Sequence, residues 1–227
     1  EWKKSLENSE TVVLEVNALK NDGLKNIKPA LLKLLKEKHD RLKAKGVNTI
    51  LRAMVLGVPN SGKSTLINNL CGVAKAITGN RPGVTKGKQW VKIASGIEIL
   101  DTPGTLWPAF DNNLVAHHLA YIGSIKEEVL DIPSLSLDFI ENILEIDKSI
   151  IENRYNISIL EDDEPIIILE KLCQSRGYLL RKNELDYDRG AFALINDFKS
   201  CRLGKISLEK VSDINRLKVK DRLNQDA

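Results

Sequence analysis

Eight consecutive residues constrain this chain more than any others: Gly57-Val-Pro-Asn-Ser-Gly62-Lys63-Ser64 matches G-x-x-x-x-G-K-[ST]. The apolar run Leu51-Arg-Ala-Met-Val-Leu56 precedes it and reads as a buried strand, and a helical stretch follows from about Lys63 to Cys71. Strand, glycine loop and helix in that order form a phosphate cradle. The glycines let backbone N–H groups turn inward around a β-phosphate, and the helix N-terminus adds a favourable dipole. Lys63 is placed to face the β- and γ-phosphates, and the Ser64 hydroxyl to reach Mg2+. Pro59, Asn60, Ser61, Gly62 and Thr65 complete the nucleotide-contacting loop. A chance glycine turn is the competing reading, and the two flanking elements argue against it.

A second element narrows the class. Ile99-Leu100-Asp101-Thr102-Pro103-Gly104 is an apolar strand that delivers an acidic residue into a D-x-x-G turn. Asp101 would hold Mg2+ through water, and the Gly104 N–H can approach a γ-phosphate because no Cβ obstructs it. Asp101 lies 38 residues after Lys63, which leaves room for one helix, one loop and a hairpin. That is the layout of GTPases, with Thr85 in the intervening loop placed as a switch threonine for Mg2+. The guanine-reading Asn-Lys-x-Asp that should follow D-x-x-G occurs nowhere in the chain. A strand and helix that normally close such a domain instead precede the P-loop, and Asn17-Ala18 falls where a base-contacting loop would be. The motif order is therefore read as permuted, with the first strands expected upstream of Glu1, which is itself no initiator residue.

Around these motifs the chain divides in two. Trp2 to Ser9 reads as a short polar helix, Thr11-Val-Val-Leu-Glu-Val16 as a buried strand, and residues 31–42 as an amphipathic helix ending before Gly46. Residues 79–88 are loop-like, and Gln89–Ile93 with Ile97–Leu100 read as a hairpin turned at Ser95-Gly96. From Asn113 onward only helical periodicity appears, at about 113–126, 136–153, 164–175 and 187–200. The expected fold is an α/β P-loop GTPase domain over 1–108, circularly permuted and partial, followed by an all-α C-terminal domain over 109–227. Composition agrees: 42% hydrophobic and 29% charged residues over 227 positions exclude disorder, and a net charge of +3 permits an RNA partner without demanding one. Cys71, Cys173 and Cys201 are odd in number and unpaired in spacing, so reduced thiols in a cytoplasmic protein are expected. No apolar run reaches the ~20 residues of a membrane span, so no membrane partner is expected.

Taken together the chain resembles the circularly permuted ribosome-assembly GTPases of the RbgA (YlqF) type. In the first half the resemblance rests on Asp40-Arg-Leu-Lys-Ala-Lys-Gly46, Gly57 to Asn68, Arg81-Pro-Gly-Val-Thr85, Gln89-Trp90 and Leu100-Asp-Thr-Pro-Gly104 with Leu106-Trp107-Pro108. In the second half it rests on Gly123-Ser-Ile-Lys126, Arg176-Gly177, Asp186-Tyr-Asp-Arg189 and Leu203-Gly-Lys205. The resemblance implies binding of GTP and GDP, a Mg2+ cofactor, and action late in assembly of the large ribosomal subunit with the helical half on rRNA. Related GTPases carry an asparagine where Asn60 stands, whose side-chain oxygen helps hold K+; stabilisation of the loop alone is the other reading. Two departures stand out. Thr105 follows D-T-P-G where the family is typically hydrophobic, and neither is the water-orienting glutamine of Ras-like proteins. The family's hydrolysis-assisting histidine belongs to an N-terminal segment, so no catalytic base is assigned. His39, His117 and His118 are read as solvated or packing residues.

In the helical half, Arg176, Arg181, Lys182, Arg189, Lys199, Arg202 and Lys205 are the candidate rRNA contacts, against the alternative of a solvated basic face. Two other functions stay open on the residues alone. One is a P-loop ATPase or kinase, because no base-reading motif is present. The other is a ribosome-binding module with a degenerate nucleotide site, against which the intact Lys63, Ser64, Asp101 and Gly104 weigh.

Overall fold

The computed structural model describes residues 1–46, 50–72, 89–93, 97–106 and 113–212, the side chains of Lys38, His39 and Gln89 excepted. The chain divides into two compact units, Glu1–Leu106 with Lys210–Ala227, and Trp107–Glu209.

In the first unit, β1 (Leu51–Val55) pairs in parallel with β3 (Ile97–Asp101), and β2 (Gln89–Ile93) pairs antiparallel with β3, giving the order β1-β3-β2. A parallel pair needs a crossover, and α4 (Lys63–Cys71) lies in that connection. The register sets Val55 opposite Asp101, so both strands end at the same edge, where the loops with chemistry emerge. Leu51, Val91, Ile97 and Ile99 point to one face of the sheet and bury Ile67 of α4 against it. Leu31, Leu32 and Leu35 add to that cluster.

Two expectations for this unit change. Thr11–Val16 is not a strand: Thr11 makes one bridge with Asn8, and residues 12–16 join no ladder among the described residues. An apolar, β-branched run reads as a strand only if a neighbour takes up its N–H and C=O groups. The helix expected over 31–42 is instead two, α2 (Ile27–Leu34) and α3 (Lys36–Ala44), separated at Leu35; a third, α1, spans Trp2–Leu6.

Among its described residues the second unit holds α5 (Asn113–Tyr121), α6 (Ile132–Ile146), α7 (Ser149–Tyr155), α8 (Pro165–Arg176) and α9 (Tyr187–Lys199), with one isolated bridge, Leu179–Leu185, between α8 and α9. Leu135, Phe139, Ile140 and Ile143 recur at helical spacing on α6 and meet Ile168, Leu169 and Leu172 of α8 and Leu194 and Ile195 of α9. Side-chain caps mark the starts of α6 and α9. Asp131 accepts from the Ser134 N–H at 3.3 Å, and Asp186 accepts from the Arg189 N–H at 3.0 Å. The helix expected over 136–153 is broken, because Asp147 turns extended and accepts the Ser149 N–H at 2.9 Å. A short polar side chain that bonds its own backbone competes with the helix, and here it wins. Close packing of α8 on α9 depends on Gly190, where an added Cβ would fall 2.3 Å from the Cys173 sulfur.

Candidate nucleotide site

The P-loop leaves β1 at Val55 and closes onto α4. Gly62 is the N-cap of that helix with φ 85°, a left-handed backbone that favours glycine, and Asn60 also takes positive φ at 62°. The Leu66 N–H donates to the Gly62 carbonyl at 2.9 Å, so the first turn of α4 is closed and its earliest N–H groups face the loop. Lys63 reaches back across the loop and donates to the Val58 carbonyl at 2.8 Å. Burial lowers the pKa of its ammonium, and the nearby Asp101 charge opposes that shift.

The D-T-P-G turn is fastened to the same loop by three contacts. Thr102 Oγ1 donates to the Val55 carbonyl at 2.6 Å. The Thr105 N–H donates to the Gly57 carbonyl at 3.4 Å. Gly104 packs so closely on Pro59 that an added Cβ would sit 2.6 Å from the Pro59 Cα. Asp101, 1% exposed, carries one carboxylate oxygen, Oδ1, with no hydrogen-bond partner among the described residues. Burial raises its pKa, while Lys63 and the Thr102 N–H pull the other way. A carboxylate oxygen left bare at this depth fits a hard cation, which takes oxygen ligands and offsets the desolvation cost. Asp101 with Ser64, the second residue of α4, therefore suits Mg2+.

Pro59, Asn60, Ser61, Gly62, Lys63, Ser64, Thr65, Asp101 and Gly104 are thus brought together around one loop. Asn17 and Ala18 lie in a separate turn held by reciprocal Asn17–Asp22 backbone bonds, and Asn69 of α4 donates its side-chain amide to the Ala18 carbonyl. Thr85, Trp107 and Pro108 fall outside the described residues. Thr102, Pro59's packing on Gly104, and Asn69 were not singled out for these roles from sequence. Thr102 stands inside the D-T-P-G motif, so its position was a signal; Asn69 offered none.

In the helical unit the candidate RNA contacts differ in surroundings. Arg176 donates to the Arg154 carbonyl at 2.7 Å and lies 5.1 Å from the Tyr155 ring. Arg189 lies 4.7 Å from the Tyr178 ring, Lys199 pairs with Glu127 at 2.7 Å, and Arg202 with Asp197 at 3.0 Å. Arg181, Lys182 and Lys205 are exposed. His117 stands 3.5 Å from Asp138, and the buried His118 pairs with Glu209 at 2.9 Å. Among the described residues no helix is long and apolar enough to cross a membrane.

Comparison with known proteins agrees with this geometry. The family model described as 50S ribosome-binding GTPase matches residues 52–171. Ribosome biogenesis GTPase A of Bacillus licheniformis is 37% identical over 214 residues, covering 94% of this chain and 75% of the relative. The protein of the same name from Thermotoga maritima is 30% identical over 176 residues, 76% of this chain and 62% of that one. A GDP-bound structure of T. maritima YlqF superposes with a TM-score of 0.50 at 26% identity, covering 76% of this chain and 66% of that chain. With a P-loop and a D-T-P-G turn assembled on one sheet edge and a family match over more than half its length, the chain belongs to the 50S ribosome-binding GTPases, of the YlqF/RbgA type.

Proposed function

We propose that this chain binds GTP and hydrolyses it as an assembly factor of the large ribosomal subunit, its nucleotide state setting how the helical unit docks on rRNA. The observation that carries the reading is Asp101 Oδ1, buried and bare beside the P-loop. Backbone N–H groups of the loop and the start of α4 bind the phosphates, and Lys63 exchanges the Val58 carbonyl for phosphate oxygens. Ser64, Asp101 and Thr85 would hold Mg2+, which when bound would offset phosphate charge. Gly104, pressed on Pro59, senses the γ-phosphate, and Asn17-Ala18 contributes to the base pocket. Only Thr105 and Leu106 separate Gly104 from the second unit along the chain, so a change at the γ-phosphate is felt where that unit begins. Arg176, Arg181, Lys182, Arg189, Arg202 and Lys205 supply the docking charge, while Lys199 is paired with Glu127.

Asn60 would hold K+, whose charge would offset negative charge developing on the transferred phosphate. Exchange of potassium for sodium at constant ionic strength is expected to slow turnover several-fold; equal rates leave Asn60 a loop-stabilising residue. The phosphate site itself is tested by titrating fluorescent GTP into the Lys63→Ala variant. Loss of one charge-assisted contact and of the loop's only lysine predicts at least a hundredfold weaker binding, about 3 kcal/mol. Unchanged affinity would remove Lys63 from the site.

A further inference from the structure

Three arginines from separate stretches of the helical unit converge on one tyrosine and one carboxylate. Asp197 of α9, buried, accepts Arg154 Nε at 2.7 Å and the Tyr155 hydroxyl at 3.1 Å on Oδ2, and Arg202 Nη1 at 3.0 Å on Oδ1. Arg176, the last residue of α8, donates to the Arg154 carbonyl at 2.7 Å and lies 5.1 Å from the Tyr155 ring; Arg154 lies 6.0 Å from the same ring. Two guanidinium groups thus share the Asp197 carboxylate, and a third lies over the tyrosine ring bonded to it. Structure alone calls for fewer: Arg154 and Tyr155 satisfy one oxygen of Asp197, Arg202 the other, and no salt bridge to Arg176 forms among the described residues. The cations are not sealed in. The Arg202 side chain is 58% exposed, the Arg154 side chain 31%, and Arg176 is exposed as well.

We infer that Arg154, Arg176 and Arg202 form a preorganised clamp for the phosphodiester backbone of RNA, with Asp197 and Tyr155 as its positioning residues. The inference rests on the docking reading above and specifies which groups perform it. A guanidinium presents parallel N–H donors that match phosphate oxygens, and Asp197 uses only part of each fork. The Tyr155 ring and the Asp197 bonds hold the forks before any partner arrives, which lowers the entropy lost on docking. Arg154 was absent from the basic residues picked out by sequence because it stands alone on α7; its company comes from α8 and α9. Lys199, by contrast, is neutralised one-to-one by Glu127 at 2.7 Å and contributes little outward field. RNA is favoured over an acidic protein surface because the family matched is ribosome-binding and the clamp carries no apolar anchor of the kind protein interfaces use.

The test is fluorescence anisotropy of the whole chain with a labelled transcript of large-subunit rRNA, repeated over a range of KCl concentrations. Arg176→Gln combined with Arg202→Gln is expected to weaken binding about tenfold or more. The slope of log affinity against log salt should become shallower by about 1.5, as two phosphate contacts are lost. Arg176→Gln alone leaves every bond to Asp197 intact, so it stays folded if the double variant does not, and should flatten the slope by about 0.8. Lys199→Gln should leave the slope unchanged. A folded Arg176→Gln chain with the wild-type slope overturns the clamp, as does a Lys199→Gln effect of equal size. If the wild-type chain does not bind the transcript at all, the docking reading falls with it; if wild type binds and the arginine variants bind equally, only the clamp is wrong.

Discussion

Asp101 shows how a residue that is costly to the fold can suit the metal site proposed for it. Its carboxylate is buried with Oδ1 bare, and burial raises its pKa above the ordinary 3.8. A raised folded pKa means that the native state holds the proton to higher pH than the unfolded chain does, so stability is lost as pH rises through that folded value. Asp101→Asn removes this loss. The variant is expected to unfold at a higher temperature than wild type at pH 7 without nucleotide, with the gain vanishing below about pH 4. It should also lose the Mg2+ dependence of GTP binding. Thermal melts across pH and nucleotide titrations with and without Mg2+ check both; a lower melting temperature at pH 7 would contradict the assignment. The P-loop and D-T-P-G motifs that carry Lys63, Ser64, Asp101 and Gly104 were legible in sequence because phosphate and metal chemistry dictates both residue type and spacing. Thr102 on the Val55 carbonyl and Pro59 under Gly104 were not, because those contacts arise only when β1 and β3 are brought side by side.

The elements follow the same logic at a larger size. The strand 51–55, the helix 63–71 and the hairpin partners 89–93 and 97–101 were readable because local periodicity and tertiary packing agree there. Thr11–Val16 misled because its composition calls for a ladder that no described neighbour supplies. The single helix expected over 136–153 misled because apolar spacing continues through Asp147 while the backbone does not. On α8 and α9 the pattern of apolar residues predicted a core, yet not that one sulfur and one glycine set the distance between the helices. Gly190→Ala gains about 1 kcal/mol of helix propensity, and the new methyl group meets the Cys173 sulfur in a site without spare volume, costing about 1–3 kcal/mol. The net expectation is a loss of about 1 kcal/mol in a thermal melt followed by circular dichroism. Adding Cys173→Ala should recover part of that loss, since the clash is then gone; a double variant no better than Gly190→Ala would place the strain elsewhere.

At the scale of the whole molecule, the chain joins an α/β unit carrying the P-loop to a helical unit within a family of ribosome-binding GTPases. It spans 75% of the Bacillus licheniformis relative and 66% of the T. maritima YlqF chain. In the mechanism proposed above, the order of the motifs matters: two residues after the D-T-P-G turn, the chain enters the helical unit. With Thr105 where Ras-like proteins have glutamine, the free chain is expected to hydrolyse GTP slowly, so that the bound state would last long enough to act as a timer. For that timer to work, GTP and GDP must be distinguished by the partner as well as by the site, since a ligand shifts a docking equilibrium only by its differential affinity for the two states. Co-sedimentation of the chain with purified large ribosomal subunits, in a non-hydrolysable GTP analogue and in GDP, tests this most directly. The account predicts at least fivefold tighter association with the analogue, about 1 kcal/mol of coupling; equal sedimentation in the two nucleotides would contradict it.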